Sequence, residues 1–425
     1  MSKPTPDSLM QRVRGAPYLA WVLAGFAISY LLFFLIPVFF RLTADYGPFI
    51  PVWGPLHAVD LRMVIAESKE WLVVGHSPYL GRNLYPPATY ALFAPLILMD
   101  FSVAYTMVTL LTGLAYVWTV LVLPAREGHT GIDSAVLMLV FLTGLFSYGL
   151  RFELERGQFN LVAGAAAFLA IFLFHHHHRL RWLAYLLFIL AVQLKLYPFI
   201  FIIMLVSDWR DWRGNLKRMG LLTLANCAML FALGPRIMLD FFSSGSAFAS
   251  SDDPIWRWIG NHSIRSFVEW FQPYVLTQVR PAWGQHLGWI QISLLAGVGV
   301  CLALIWLRAQ KRPVTGIDPY LLLACTLGAL LVPAMSIDYK LSLLPGPVAL
   351  LLMTEDRRAS RTGISVARAL AAITFCLAYS STLFSYANRP PWLGNSAPVL
   401  LAMLVIVTLL CLASPRAEPQ SSLET

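Results

Sequence analysis

Charge is scarce in this chain of 425 residues: only 12% of its side chains are Asp, Glu, Lys or Arg, about half of the roughly 25% usual in soluble domains. Polar faces are missing too. A soluble core of this length would be covered by amphipathic helices, yet stretches such as 161–174 are apolar on every side. Strict alternation of polar and apolar residues is absent, which excludes a membrane β-barrel. Acidic residues number 22 against 31 Lys and Arg, for a formal charge of +9. The basic residues stand singly or in small groups between apolar runs rather than in one patch. That pattern argues against nucleic acid as a partner and for topology signals and lipid-phosphate contacts. Five cysteines are scattered with no CxxC pair (Cys227, Cys301, Cys325, Cys376, Cys411), so they read as small apolar residues. A cleavable leader is not expected either. The first apolar run, 21–40, follows Arg12 and Arg14 but is too long for a signal peptide and lacks a small-residue cleavage site.

What is present is apolar sequence, 58% of the chain, in runs close to the roughly 20 residues a helix needs to cross a bilayer. Inside lipid only helices satisfy their own backbone. The expected fold is therefore all-α, a polytopic membrane protein with about ten to twelve transmembrane helices. The runs fall at 18–40, 101–123, 133–150, 159–174, 182–193, 196–206, 217–239, 286–307, 318–335, 341–353, 365–386 and 397–413. The two around Lys195 read either as two crossings or as one re-entrant hairpin. With residues 1–16 cytoplasmic, every basic cluster falls on the cytoplasmic side, as the positive-inside rule requires. A single membrane domain, 17–414, then carries external loops at 41–100 and 240–285, and 415–425 form a disordered cytoplasmic tail. The unusual polar residues collect on the external face, where chemistry is expected.

Residues 57–75 have helical spacing and would form an interfacial helix in the first external loop. It would hold Asp60 at the membrane surface as a candidate general base, or as an ordinary solvated acid. The following GHSPYLGRNLYPP carries Tyr79 and Tyr85, with faces suited to sugar rings or to an interfacial belt, and Arg82, a phosphate or headgroup contact. In RFELERGQFN, Glu153, Glu155, Arg151 and Arg156 read as internal ion pairs or, for the acids, a second acid or metal ligands. Gln158 and Asn160 would bond a sugar or cap a helix. Lys195 stands alone in VQLKLYP, either meeting a lipid phosphate or snorkelling. IGNHSIRS offers Asn261, His262, Ser263 and Arg265 as phosphate or hydroxyl partners, His262 alternatively being structural. Ser336, Asp338 and Lys340 make a polar island between apolar runs. His175, His176, His177 and His178 resemble a metal tract, but with basic neighbours and no acidic or cysteine partner in sequence they read as a solvated cytoplasmic loop.

Taken in order, an acid in the first external loop, GHSPY, LYPP, RGQFN, KLYP and GNHSIRS resemble glycosyltransferase family 87 of the GT-C superfamily, over about residues 60–340. The resemblance implies a GT-C-like bundle and a transferase using a polyprenyl-phosphate sugar, without metal or cofactor. The family's enzymes are mannosyl- and arabinofuranosyltransferases. Residue by residue it implies Asp60 as catalytic acid/base; Pro78 and Tyr79 in one turn; Tyr85, Pro86 and Pro87 in the next. It also matches Gly157, Gln158 and Asn160 to a G-Q-x-N element, Lys195 and Pro198 to a lysine–proline element, and Asn261 and Ser263 to an N-x-S element. Where the family carries a histidine-containing S-P-x-S-W-x-H-H stretch, this chain reads VPAMSIDYKLS, with Lys340 as the candidate replacement ligand. The implied assignment is Asp60 as base; Lys195, Arg265, Lys340, Arg82, Arg156 and His262 on the donor phosphate; and Tyr79, Tyr85, Gln158, Asn160, Asn261, Glu155 and Asp338 on acceptor or sugar. The implied partners are a polyprenyl-phosphate sugar, a glycolipid or glycan acceptor and membrane lipids, in the cell membrane with the site facing outward. Competing readings are a lipid transporter or flippase, and a polysaccharide ligase or polymerase.

Overall fold

The structure, a computed structural model, describes residues 57–80, 84–127, 134–145, 147–258, 260–274, 286–362, 366–380 and 396–413. The first expected span, residues 388–395, the tail 415–425 and Arg82 lie outside them. Among the described residues the chain is helical, with no strand and one isolated bridge between Asn261 and Ile337. In order come α1 (Val59–Lys69), α2 (Pro87–Phe93), α3 (Phe101–Glu127), α4 (Ser134–Leu145), α5 (Tyr148–Arg156), α6 (Asn160–His176) and α7 (Arg181–Leu194). They are followed by α8 (Trp212–Met229), α9 (Pro235–Ser250), α10 (Ile264–Tyr274), α11 (Leu287–Ala309), α12 (Pro319–Leu331), α13 (Pro345–Thr362), α14 (Val366–Ser380) and α15 (Ala397–Ala413).

Two helices among the described residues, α3 with 27 residues and α11 with 23, are long and apolar enough to cross a membrane. α5 and α6 qualify together as a broken span, bent by 111° at Gly157. Lipid-facing helices expose their outer side chains, as Leu110, Leu114, Trp289 and Val300 do. α12 is apolar all round and buried from Tyr320 to Leu331, the mark of a helix at the centre of a bundle. The expected run 217–239 is instead two helices. Gly234 takes φ +100° and Pro235 opens α9, so the backbone turns where one continuous helix was expected. The run 196–206 is a short 3-10 segment, Tyr197–Met204, opened by Pro198.

Hydrogen bonds tie several helix ends together. α1 starts from Ala58, which is left-handed at φ +52° and donates its N–H to the carbonyl of Glu155 at 2.7 Å. Facing it is Gly157, left-handed at φ +64°, where an added Cβ would sit 2.8 Å from Cβ of Leu61. The Thr89 hydroxyl ties α2 to the Gln193 carbonyl at the end of α7 (2.6 Å), and the Tyr197 hydroxyl donates to the Asn160 carbonyl at 2.6 Å. Glu153, buried, accepts from the Leu161 N–H at 2.7 Å and the Ser342 hydroxyl at 3.0 Å. It thus caps α6 and fastens α5 to the 3-10 turn Asp338–Leu343, in place of the expected pairing with Arg151 or Arg156, or a second-acid or metal role. We expect Gly157→Ala to lower stability by at least the ~1–2 kcal/mol that a left-handed conformation costs an L-residue, with the clash at Leu61 adding to it. A fall in melting temperature of the detergent-solubilised protein measures it; an unchanged value would mean the turn can relax.

Candidate active site

The breaks enclose a cavity of about 850 Å³. Polar groups line one part of it: Asp60, Tyr85, Arg156, Gln158, Lys195, Tyr197, Asp253, Tyr339 and Lys340. Apolar side chains including Leu84, Phe152, Leu196, Phe248, Trp256, Trp258, Met335 and Ile337 form the rest.

Asp60 lies in the first turn of α1, on the buried side with Leu61, Val64 and Ser68. The whole carboxylate is matched. Arg156 donates Nε to Oδ2 at 2.9 Å and Nη2 to Oδ1 at 3.0 Å, a two-point guanidinium pair. Gln158 adds Nε2 to Oδ2 at 2.7 Å. Arg156 was expected on the donor phosphate; its guanidinium is the partner of the acid. The other end of the Gln158 amide accepts from Lys195 Nζ at 2.9 Å. That ammonium also lies 4.1 Å from the centre of the Tyr85 ring and 4.7 Å from that of Phe159, contacts that favour a cation. Lys340 donates to the Met335 carbonyl at 2.7 Å.

Both lysines sit in breaks between helices, outside the spanning segments. Burial pushes Lys195 down to about 7, with the charge of Lys340 pushing the same way and those of Asp60 and Glu153 opposing. Burial alone lowers Lys340 to about 8. Two ammonium groups held this way gain from a bound anion, which restores the charge each has difficulty keeping.

The other candidates fall elsewhere. The Arg265 guanidinium is spent on Glu269 (2.7 Å), the Ala249 carbonyl (2.8 Å) and the face of Trp256 (3.8 Å). It supports a wall residue and does not line the cavity. His262 and Asp338, expected on phosphate and acceptor, are both fully buried and form a close hydrogen-bonded pair. The other ring nitrogen of His262 meets the Ser396 hydroxyl at 2.8 Å. Asn261 donates to the Ile255 and Ala334 carbonyls and accepts from the Ser336 N–H, while the Ser263 hydroxyl donates to the Ala334 carbonyl. These groups join the 260–263 turn to residues 334–338, and burial takes them out of reach of a ligand. Tyr79 packs on Tyr90 and Phe241 and gives its hydroxyl to the Tyr85 carbonyl (2.7 Å). Asn160 is buried and donates to Gln158 Oε1 at 3.2 Å. Glu155 pairs with Arg151 at 3.7 Å. Of the four histidines, His176 does have an acidic partner: its Nε2 is 2.5 Å from Glu127 Oε1, beside a second cavity of about 290 Å³. Sequence reasoning passed over Phe152, Trp256, Trp258 and Tyr339. Their aromatic type was visible, but nothing local says that they face one space.

Residues 83–334, more than half of the chain, match the family model of glycosyltransferase family 87. The chain belongs to that family. It is a glycosyltransferase with membrane-spanning helices. The matched region contains Tyr85, Arg156, Gln158 and Lys195 but stops short of Asp60 on one side and Lys340 on the other. The case for those two therefore rests on their place in the cavity. Comparisons with curated proteins and with solved structures return no match.

Because both members of the His262 and Asp338 pair are fully buried, removing one should cost about 3 kcal/mol or more. Asp338→Ala should lower the melting temperature and the folded yield. Loss of turnover at an unchanged melting temperature would instead return Asp338 to the chemistry.

Proposed function

We propose that this glycosyltransferase moves a single sugar, mannose in the first instance, from a polyprenyl-phosphate donor to a hydroxyl of a glycolipid or glycan acceptor. The reaction takes place on the external face of the cell membrane, within a GT-C-like bundle spanning residues 17–414. One observation carries the reading: the Asp60 carboxylate, held by Arg156, and two lysines face a single cavity that also has a broad apolar wall. An anionic lipid phosphate with an isoprenoid tail needs both kinds of wall. A transporter would place its ionisable groups near the membrane midplane with access from both faces, whereas the order of basic clusters along the chain puts these in links on one face. Arabinofuranose is the alternative donor sugar, because Lys340 stands where the family pattern has histidine.

In the proposed reaction Asp60 removes the proton from the acceptor hydroxyl as its oxygen attacks the anomeric carbon. The bond from that carbon to the phosphate oxygen breaks on the opposite side, and its electron pair leaves with the phosphate. The configuration inverts, and polyprenyl phosphate is the second product. Lys195 and Lys340 meet the charge that grows on the leaving phosphate, where low-dielectric surroundings make fixed cations most effective. Arg156 holds the Asp60 carboxylate by two hydrogen bonds and aims it. A monophosphate leaving group can be served by two ammonium groups, so activity should survive EDTA; loss on chelation, restored by a divalent cation, would refute that.

Asp60→Asn should lower sugar transfer about 10²–10⁴-fold, the usual contribution of a general base, with folding intact. The measurement is radiolabelled transfer from mannosyl and arabinofuranosyl polyprenyl phosphates in nanodiscs, together with release of the lipid phosphate. Near-normal turnover would refute the assignment. A pH profile tests the lysines. Lys195 with a pKa near 7 is an ammonium below that value and neutral above it, so kcat/KM for the donor should fall as pH rises past about 7. Lys195→Arg keeps its charge through that range and should flatten the fall. An equally steep alkaline limb in the arginine variant would remove Lys195 from donor binding.

A further inference from the structure

The primary amide of glutamine has two N–H donors and two acceptor lone pairs. In Gln158, 3% exposed, the protein itself occupies them all. Nε2 donates to Asp60 Oδ2 at 2.7 Å and meets the Tyr85 hydroxyl at 3.1 Å. Oε1 accepts from Lys195 Nζ at 2.9 Å and Asn160 Nδ2 at 3.2 Å. No capacity remains for the sugar that the sequence led us to expect there.

The chemistry of its neighbours also dictates which way the amide faces. An ammonium can only donate and a carboxylate can only accept. Oε1 must therefore point at Lys195 and Nε2 at Asp60; the flipped amide would set oxygen against carboxylate and N–H against ammonium. Asn160 reinforces the choice by donating from the same side as Lys195. Asp60 and Lys195, 135 positions apart by number, are thus held by one rigid planar group whose two ends differ.

We propose that Gln158 is a positioning residue that sets the separation and orientation of base and phosphate-binding lysine, aligning the acceptor hydroxyl and the leaving phosphate on opposite sides of the anomeric carbon. This rests on the reading of Asp60 and Lys195 given above. Displacement needs its two oxygens in line, and a misplacement of about 1 Å can cost roughly 10²-fold in rate. Lys195 then has two tasks, since the ammonium that would meet the phosphate also keeps the amide turned toward the acid.

The test compares Gln158→Met, Gln158→Glu and Asn160→Ala in the full-length enzyme in nanodiscs. Gln158→Met keeps the volume without the hydrogen bonds; kcat should drop about 10²-fold while KM for the donor stays within about threefold, in protein that remains folded at the assay temperature with a melting temperature lowered by the unpaired neighbours. Asn160→Ala removes one of the two donors that orient the amide and should cost about tenfold in kcat, by the same misalignment. Gln158→Glu is isosteric and places a second carboxylate against Asp60. Like charge raises a carboxyl pKa, so the acidic limb of the kcat/KM profile should move alkaline by about one pH unit or more. That limb reports whether the side chain faces the base, and the split between kcat and KM in Gln158→Met separates positioning from filling space. Wild-type kcat in Gln158→Met, or an unmoved acidic limb in Gln158→Glu, would overturn the proposal. Asp60→Asn run alongside separates the two levels. If it stays active, the reading of the base fails and this inference with it. If it is inactive while Gln158→Met turns over normally, only the positioning role fails.

Discussion

A carboxylate held where most of its surroundings are apolar must have its charge answered by the protein, and the rest of this site follows from how that is done. Asp60 receives both ends of the Arg156 guanidinium and one end of an amide. Residues 60 and 156 are far apart in the chain, so the fold has to deliver α5 beneath the first turn of α1. It does so through two left-handed residues, Ala58 and Gly157, set against each other. The turn at Gly157 also ends α5, lets α6 leave at 111° and presents Gln158 and Asn160 at the break. One backbone device aims the acid's partner and opens the space in front of it.

The second consequence is electrostatic. With Asp60 matched by Arg156, the cations that face the cavity beside it are Lys195 and Lys340, both lowered by burial, with Asp253 also on the wall. A site that penalises its own cations while empty rewards an anion that restores them. The apolar walls strengthen the effect by keeping the local dielectric low. Much of the other polarity serves construction. Glu153, Asn261, His262 and Asp338 are buried and bonded to backbone or to each other, because a helix end inside a bundle must find partners for its own N–H and C=O groups.

Several features were legible from composition and spacing. α11 and α6 lie within a few residues of the runs read from hydropathy, since a spanning helix needs only length and apolarity. The first-loop helix around Asp60 and the break at Lys195 were visible too, the latter because Pro198 follows. The split at Gly234 was written in a Gly-Pro pair that a hydropathy window averages away. Less was legible at the site. Polar residues in external loops look alike in sequence whether they face a ligand or fasten two loops, and so Arg265, His262, Asn261 and Asp338 were given roles that their burial and partners do not support.

What the residues determined by themselves is the class of protein, through apolar runs that no soluble core could use, and the family, through an ordered set of short motifs. The tertiary structure alone decided which polar groups share a space. Hydrophobicity is a property of each segment and can be summed along the chain. A hydrogen bond such as those joining Asp60 to Arg156, or Gln158 to Lys195, depends on the positions of two helix ends, and no local pattern records that distance.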